Sequence, residues 1–139
     1  MKNILVVVDF SEDTSQVIRH SINLATALSA QVYLIHALAP NEGLDGGASD
    51  DVTKDFPEET RQLTDLANTL RHQNIETHAI LAAGIAHQVI IHEANSVDAD
   101  LIITGSRGYG ALASVVMGDV TLGILKHTKI PVLFIPEQG

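Results

Sequence analysis

The sequence predicts an α/β fold: a single doubly wound parallel sheet of five strands with four helices on its two faces. Three observations predict it. Apolar runs of strand length alternate with stretches of helical period along the whole chain. The first run, residues 3–9, is continuously apolar and ends on an acid, as in a strand buried on both faces. The chain has 139 residues, 45% of them hydrophobic, which suits one core and not two. One domain, 1–139, is therefore expected.

The elements follow in order. After the first strand, Ser11 reads as a helix N-cap, with Glu12 and Asp13 in the first turn, where the helix dipole favours acids. Val17, Ile18, Ser21, Ile22, Ala25 and Leu28 then recur at helical spacing. Residues 31–38, QVYLIHAL, form the second strand. The stretch 39–57 is rich in Gly, Asp and Ser, has no period, and reads as a long acidic surface loop. Pro57 suits the first turn of a second helix carrying Leu63, Leu66, Ala67 and Leu70 on one face. Residues 75–83 form the third strand, and Ile85, Val89, Ile90 and Ala94 mark the third helix. Residues 99–105 form the fourth strand, ending at a glycine-rich stretch. Val116, Val120, Ile124 and His127 follow a fourth helical stripe, and Pro131 opens the last strand.

Charge and composition exclude several classes. Eight basic against seventeen acidic residues leave a net charge of −9, which opposes binding to nucleic acid or an anionic membrane surface. The longest apolar runs are strand-sized, far from the roughly 20 residues a membrane span needs, so no membrane insertion is expected. With no cysteine, disulfides and thiolate metal sites are absent, and a reducing cytoplasm is the expected location.

The chemistry concentrates in GSRGYGALASVVMGDV, residues 105–120. No Walker loop is present, and G-x-G-x-x-A at residues 108–113 follows the fourth strand rather than the first, which is wrong for a dinucleotide fingerprint. What remains is Gly105 and Gly108, nine residues, then Gly118. Such a turn exposes backbone N–H groups, and Gly118–Asp119 would present the N-terminus of the next helix, two donor sets that suit an oligophosphate. A glycine-permitted loop with Asp119 as an ordinary cap fits the spacing equally well. Asp9, at the end of the first strand, could accept from a ribose hydroxyl or an adenine amine, or could be a helix-entry acid. Other constellations fail. H-E-x-x-H is broken by Ser96 and G-x-S-x-G by Thr104. Response-regulator acids are missing after the third strand, and Lys129 precedes the fifth. His87 and His92 are five residues apart, about 140° around a helix, and so should face different directions.

Taken together, ILVVVDFSEDT, VYLIHAL, DADLIITGSRG, the Gly118–Asp119–Val120 step and IPVLFIP resemble the universal stress protein family, essentially end to end from residue 1 to 136. The resemblance implies strand order 3-2-1-4-5 in a Rossmann-like α/β/α sandwich of the adenine-nucleotide alpha-hydrolase type. Asp9 and Gly105 then become neighbours at the switch point. It implies ATP or AMP there, through G-x-x-G, nine residues, G-[S/T]. Carried over by residue, Asp9 would meet the adenine–ribose end and Ala37 would line the adenine slot. Thr104, Gly105 and Gly108 would follow the ribose and phosphates with help from Arg107, and Gly118 and Val120 would donate N–H groups. Asp119 departs from the motif by replacing its hydroxyl with a carboxylate. Two outcomes follow. Either Asp119 turns aside or holds Mg²⁺ against the phosphates, or the chain binds no nucleotide and is a dimeric interaction module with an unknown protein partner. Family precedent adds slow ATPase activity or self-phosphorylation at Ser106 or Thr121, although no positioned general base can be located. It also implies a homodimer through the apolar edge strand 131–135.

Overall fold

Strand β1 (Asn3–Val7) forms the middle of the sheet, and its alternating side chains supply both halves of the core. The computed structural model describes residues 2–38, 55–105 and 119–136. Around β1 lie β2 (Gln31–Leu38), β3 (Thr77–Ala83), β4 (Leu101–Gly105) and β5 (Val132–Ile135), all parallel, in the order β3-β2-β1-β4-β5. This is the predicted α/β architecture and strand order. Four described helices cover it: α1 (Thr14–Leu28), α2 (Pro57–Arg71), α3 (Ala86–Ser96) and α4 (Asp119–His127). The acidic segment 39–57 lies mostly outside the described residues. No described helix is long and apolar enough to cross a membrane.

The two faces separate cleanly. Ile4, Val6 and Val8 point to one side, under α1 (Val17, Ile18, Ala25) and α2 (Leu63, Ala67, Leu70). Leu5 and Val7 point to the other, with Ile35 and Ala37, under α3 (Ile90, Ala94) and α4 (Val120, Ile124). Strand alternation makes this division, because neighbouring side chains must leave opposite faces. Each fully buried Ile or Leu contributes about 1.5–3 kcal/mol relative to exposure.

Local chemistry sets the ends. α1 stops where Ser29 turns left-handed (φ 53°) and the Ala30 N–H reaches Ala25 O at 3.0 Å. That stop leaves Leu28 exposed, although its spacing predicted a core position. α2 opens on Pro57 with Glu58 and Glu59 in its first turn and Arg71 in its last, an order that complements its dipole. On its outer face Arg61 bridges Glu58 and Asp65. These pairs are exposed and stabilise little. At the amino edge of the sheet, Asp100 accepts the N–H groups of Lys2 (2.8 Å) and Asn3 (3.0 Å), and these bonds hold its carboxyl below the usual range.

The start of α1 differs from expectation. The helix begins at Thr14, with no acid in its first turn and no side-chain cap. Ser11 instead accepts the Asp13 N–H at 3.3 Å in a local turn. The reason is a competing acceptor, Asp9, which takes the Ser11 N–H at 3.0 Å and holds that residue outside the helix.

Candidate functional site

The carboxyl ends of β1, β2 and β4 meet where the strand order reverses, the usual place for a ligand in an open parallel sheet. Extending the register from Val6↔Ile103 puts Val8 beside Gly105, and Asp9 is the next residue. Asp9 is half-buried. Its Oδ1 accepts from the Ser11 N–H (3.0 Å) and from the Thr14 hydroxyl (3.3 Å). Both bonds fall on one oxygen, so Oδ2 is the atom turned to other partners.

The next residue is bent into an uncommon conformation. Phe10 has φ 59°, which a bulky residue adopts only when its surroundings enforce it. Its ring lies 4.3 Å from that of His36, tilted by 33°. His36 is 8% exposed, and its Nδ1 is 2.8 Å from Val8 O. A carbonyl only accepts, so the proton is on Nδ1. His36 thus joins the end of β2 to the end of β1 directly beneath the Asp9 turn. A hollow of about 310 Å³ flanks that turn on the α2 side, between Phe10, Thr14, Gln62 and Leu66.

On the β4 side, the first turn of α4 is fastened to the strand. Thr121 is fully buried and donates to Gly105 O at 3.0 Å, and its hydroxyl is 3.4 Å from that of Thr104. The described start of α4 therefore stands at the carboxyl end of β4, beside the crevice. Gly105 packs closely against α1, since an added Cβ would be 3.3 Å from Val17 Cγ2.

The residues singled out in the sequence are placed unequally. Asp9 and Gly105 come together at the switch point. Asp119 is the first residue of α4 and is exposed. Val120, on the inner face of α4, and Ala37, on β2, are buried in the core, so only their backbone groups can serve a ligand. Thr104 is 1% exposed and spends its hydroxyl on Thr121. Arg107, Gly108 and Gly118 lie outside the described residues, as does Ser106. Thr121 is buried and bonded, which removes it as a phosphate acceptor in this conformation. Among the described residues no three His, Asp or Glu side chains converge as a metal set, at Asp119 or elsewhere. Thr14, Phe10 and His36 were not singled out from sequence, and of these only Thr14, a hydroxyl one turn beyond an acid, carried any signal; Thr121 was named only as a phosphate acceptor, not as the pin between α4 and β4. A further hollow of about 700 Å³ between the ends of α1 and α2 lies at the opposite edge of the sheet. Its polar lining does not converge on a point.

Comparison with known proteins agrees with this fold. Residues 1–136 match the model of the universal stress protein family. The chain is 30% identical to universal stress protein Sll1654 of Synechocystis over 97% of its length and 85% of that protein's. Among solved structures it superposes on the hypothetical protein MJ0577 with a TM-score of 0.87 at 26% identity, covering 99% of this chain and 97% of that one. It also superposes on a universal stress protein from Archaeoglobus fulgidus in complex with dAMP, with a TM-score of 0.75 at 25% identity, covering 97% of this chain and 98% of that one.

Proposed function

The chain belongs to the universal stress protein family, and on that premise we propose that it binds an adenine nucleotide, ATP or AMP, at the switch point between Asp9 and Gly105. The observation that carries this reading is the convergence of Asp9, Gly105 and the first turn of α4, which Thr121 fastens to β4. The Archaeoglobus relative, solved with dAMP, supports the ligand class.

Each group has a task its position allows. Asp9 Oδ2 accepts a ribose hydroxyl or the adenine amine while Oδ1 is held by Ser11 and Thr14. The N–H groups at the start of α4, Val120 among them, meet the phosphates, and the helix dipole favours that negative charge. Gly105, Gly108, Gly118 and Arg107 complete the cradle in this reading. Asp119 stands where a phosphate-binding hydroxyl would otherwise be. Mg²⁺ is commonly held by one or two carboxylates plus phosphate oxygens and water, so a single carboxylate here suits a metal carried in with the nucleotide. Binding is then Mg²⁺-dependent, and the protein reads a nucleotide level rather than consuming it.

The same chain forms a homodimer through β5 in this proposal. Val132, Leu133 and Phe134 are only half-buried in the single chain, and β5 has one neighbour in the sheet. An apolar edge of this kind is covered by a symmetric copy.

The test is titration calorimetry with ATP and AMP, with and without Mg²⁺, on protein stripped of bound nucleotide. Saturable heat with Mg²⁺·ATP is expected. Absence of heat at millimolar ligand under every condition favours the second reading, a nucleotide-free interaction module. The observation that favours that reading is the exposed Asp119 carboxylate at the helix N-terminus. Light scattering reports the dimer separately.

A further inference from the structure

We propose that the groove between α3 and α4 binds a borderline divalent transition-metal ion of the zinc or nickel class through the imidazoles of His87 and His127. The site lies on the outer side of these helices, and the inference does not depend on nucleotide binding.

His127 is the better-defined ligand. It closes the last turn of α4, and its Nδ1 lies 2.9 Å from Gly123 O. Because a carbonyl only accepts, the proton sits on Nδ1 and Nε2 carries a free lone pair. This backbone-bonded tautomer is the one metal-ligating histidines adopt, since the second nitrogen is thereby fixed as a donor to the ion.

His87 reaches the same place because position 123 is glycine. A Cβ added there would lie 2.6 Å from His87 Cγ and 2.8 Å from His87 Cβ. Without it, the half-buried His87 ring rests against α4, with its centre 5.3 Å from that of His127 and a 22° angle between the planes. Two imidazoles on one tetrahedral zinc, at Zn–N of about 2.0–2.1 Å, place their ring centres about 5.2 Å apart. The ring-centre separation therefore matches that of a chelating pair. Chelation asks in addition that the near-parallel rings turn about their Cβ–Cγ bonds so that their lone pairs meet, torsions with broad minima.

The surroundings suit a cation. The groove, about 310 Å³ in volume, is bordered by His87, Gln88, Ile91, His92 and His127, and among the described residues by no lysine or arginine. His92 stands on the rim although helix geometry sets it well around from His87, because α4 forms the other wall. No three ligating side chains converge on one point among the described residues, so two imidazoles and solvent complete the coordination. Imidazole suits zinc, nickel and copper rather than Mg²⁺ or Ca²⁺.

The experiment titrates Zn²⁺, and in parallel Ni²⁺, into tag-free, nucleotide-free protein against a chromophoric chelator. Histidine ring ¹⁵N resonances are followed in the same samples. One-to-one binding is expected, with Nε2 of His127 and a ring nitrogen of His87 shifting together. His127→Gln and His87→Gln should each weaken binding by at least about tenfold, while His20→Gln, on α1, leaves it unchanged. Zn²⁺ should raise the melting temperature of the parent chain and not of the folded His127→Gln variant. No saturable binding by the parent chain would overturn the proposal. So would binding that survives both substitutions, or ring shifts confined to other histidines.

Discussion

Replacing Thr121 by valine tests whether the first turn of α4 is held by one hydroxyl. Valine keeps the shape of threonine, so no cavity opens, but it deletes the donor to Gly105 O at 3.0 Å and the 3.4 Å contact with the Thr104 hydroxyl. A net hydrogen bond is worth about 0.5–1.5 kcal/mol, and stranding a buried partner costs about 1–3 kcal/mol. Thr104 is 1% exposed and Gly105 is half-buried, which places the loss at about 1–2 kcal/mol. For a chain of this size that lowers the melting temperature by about 3–8 °C. The same substitution frees the anion-facing turn. An anion at a helix N-terminus gains about 0.3–1 kcal/mol, so ATP affinity should fall by up to about fivefold. Thermal unfolding and calorimetry on Thr121→Val, with Thr121→Ser retaining the hydroxyl as control, read both quantities. Unfolding of the valine variant at the parent temperature would refute the assigned role of the hydroxyl. Lower stability with unchanged ATP affinity would instead show that the pin does not position the binding turn.

Three further outcomes are expected. Asp119→Ser removes one charge beside the phosphates. A unit charge at about 4 Å in water is worth about 1 kcal/mol, so ATP should bind about fivefold tighter without Mg²⁺ and depend less on the metal, as measured by calorimetry; unchanged affinity would make Asp119 a mere helix residue. Gly84→Ala places a side chain at φ 145° with its Cβ 2.7 Å from Val89 Cγ1 and should cost about 2–4 kcal/mol in urea unfolding. Asp100 has its folded pKa depressed by the Lys2 and Asn3 N–H groups, so its contribution is present above the unfolded value of about 3.9 and is lost as pH falls through the lower folded value. Asp100→Asn should therefore be less stable than the parent at neutral pH, with the gap in urea midpoints closing as pH drops below about 4; a gap independent of pH would contradict this.

Much of this molecule could be read directly from the residues. Strand-length apolar runs against helical period located every described element, because burial on both faces of β1 forces a continuous apolar run and helices on either side force amphipathic stripes. Asp9 and Gly105 were legible as strand-end residues, and the family resemblance made them neighbours. What escaped was chemistry between distant or competing groups. The Thr104–Thr121 contact joins residues 17 apart, and no local pattern records it. The start of α1 was misplaced because Asp9 captures the Ser11 N–H, a competition that propensity does not register. The fourth stripe put His127 with Val120 and Ile124, yet His127 is exposed and turns its ring toward His87 instead. Likewise, angular separation on one helix could not anticipate that a second helix would bring His87 and His92 to a common groove.

The strand order also imposes a schedule on synthesis. β1, β2 and β3 are contiguous in the sheet and complete by Ala83, whereas the other edge of β1 pairs with β4, which ends at Gly105. A ribosome therefore releases β1, whose last four residues are buried in the finished fold, with one edge bare. That edge waits for about 20 more residues, on the order of one to four seconds of elongation. Nascent chains arrested just after β3 should leave β1 open to protease, and chains arrested after β4 has cleared the exit tunnel should not. Between its third and fourth strands the growing chain thus carries a three-stranded sheet whose central strand-to-be is still an unpaired edge.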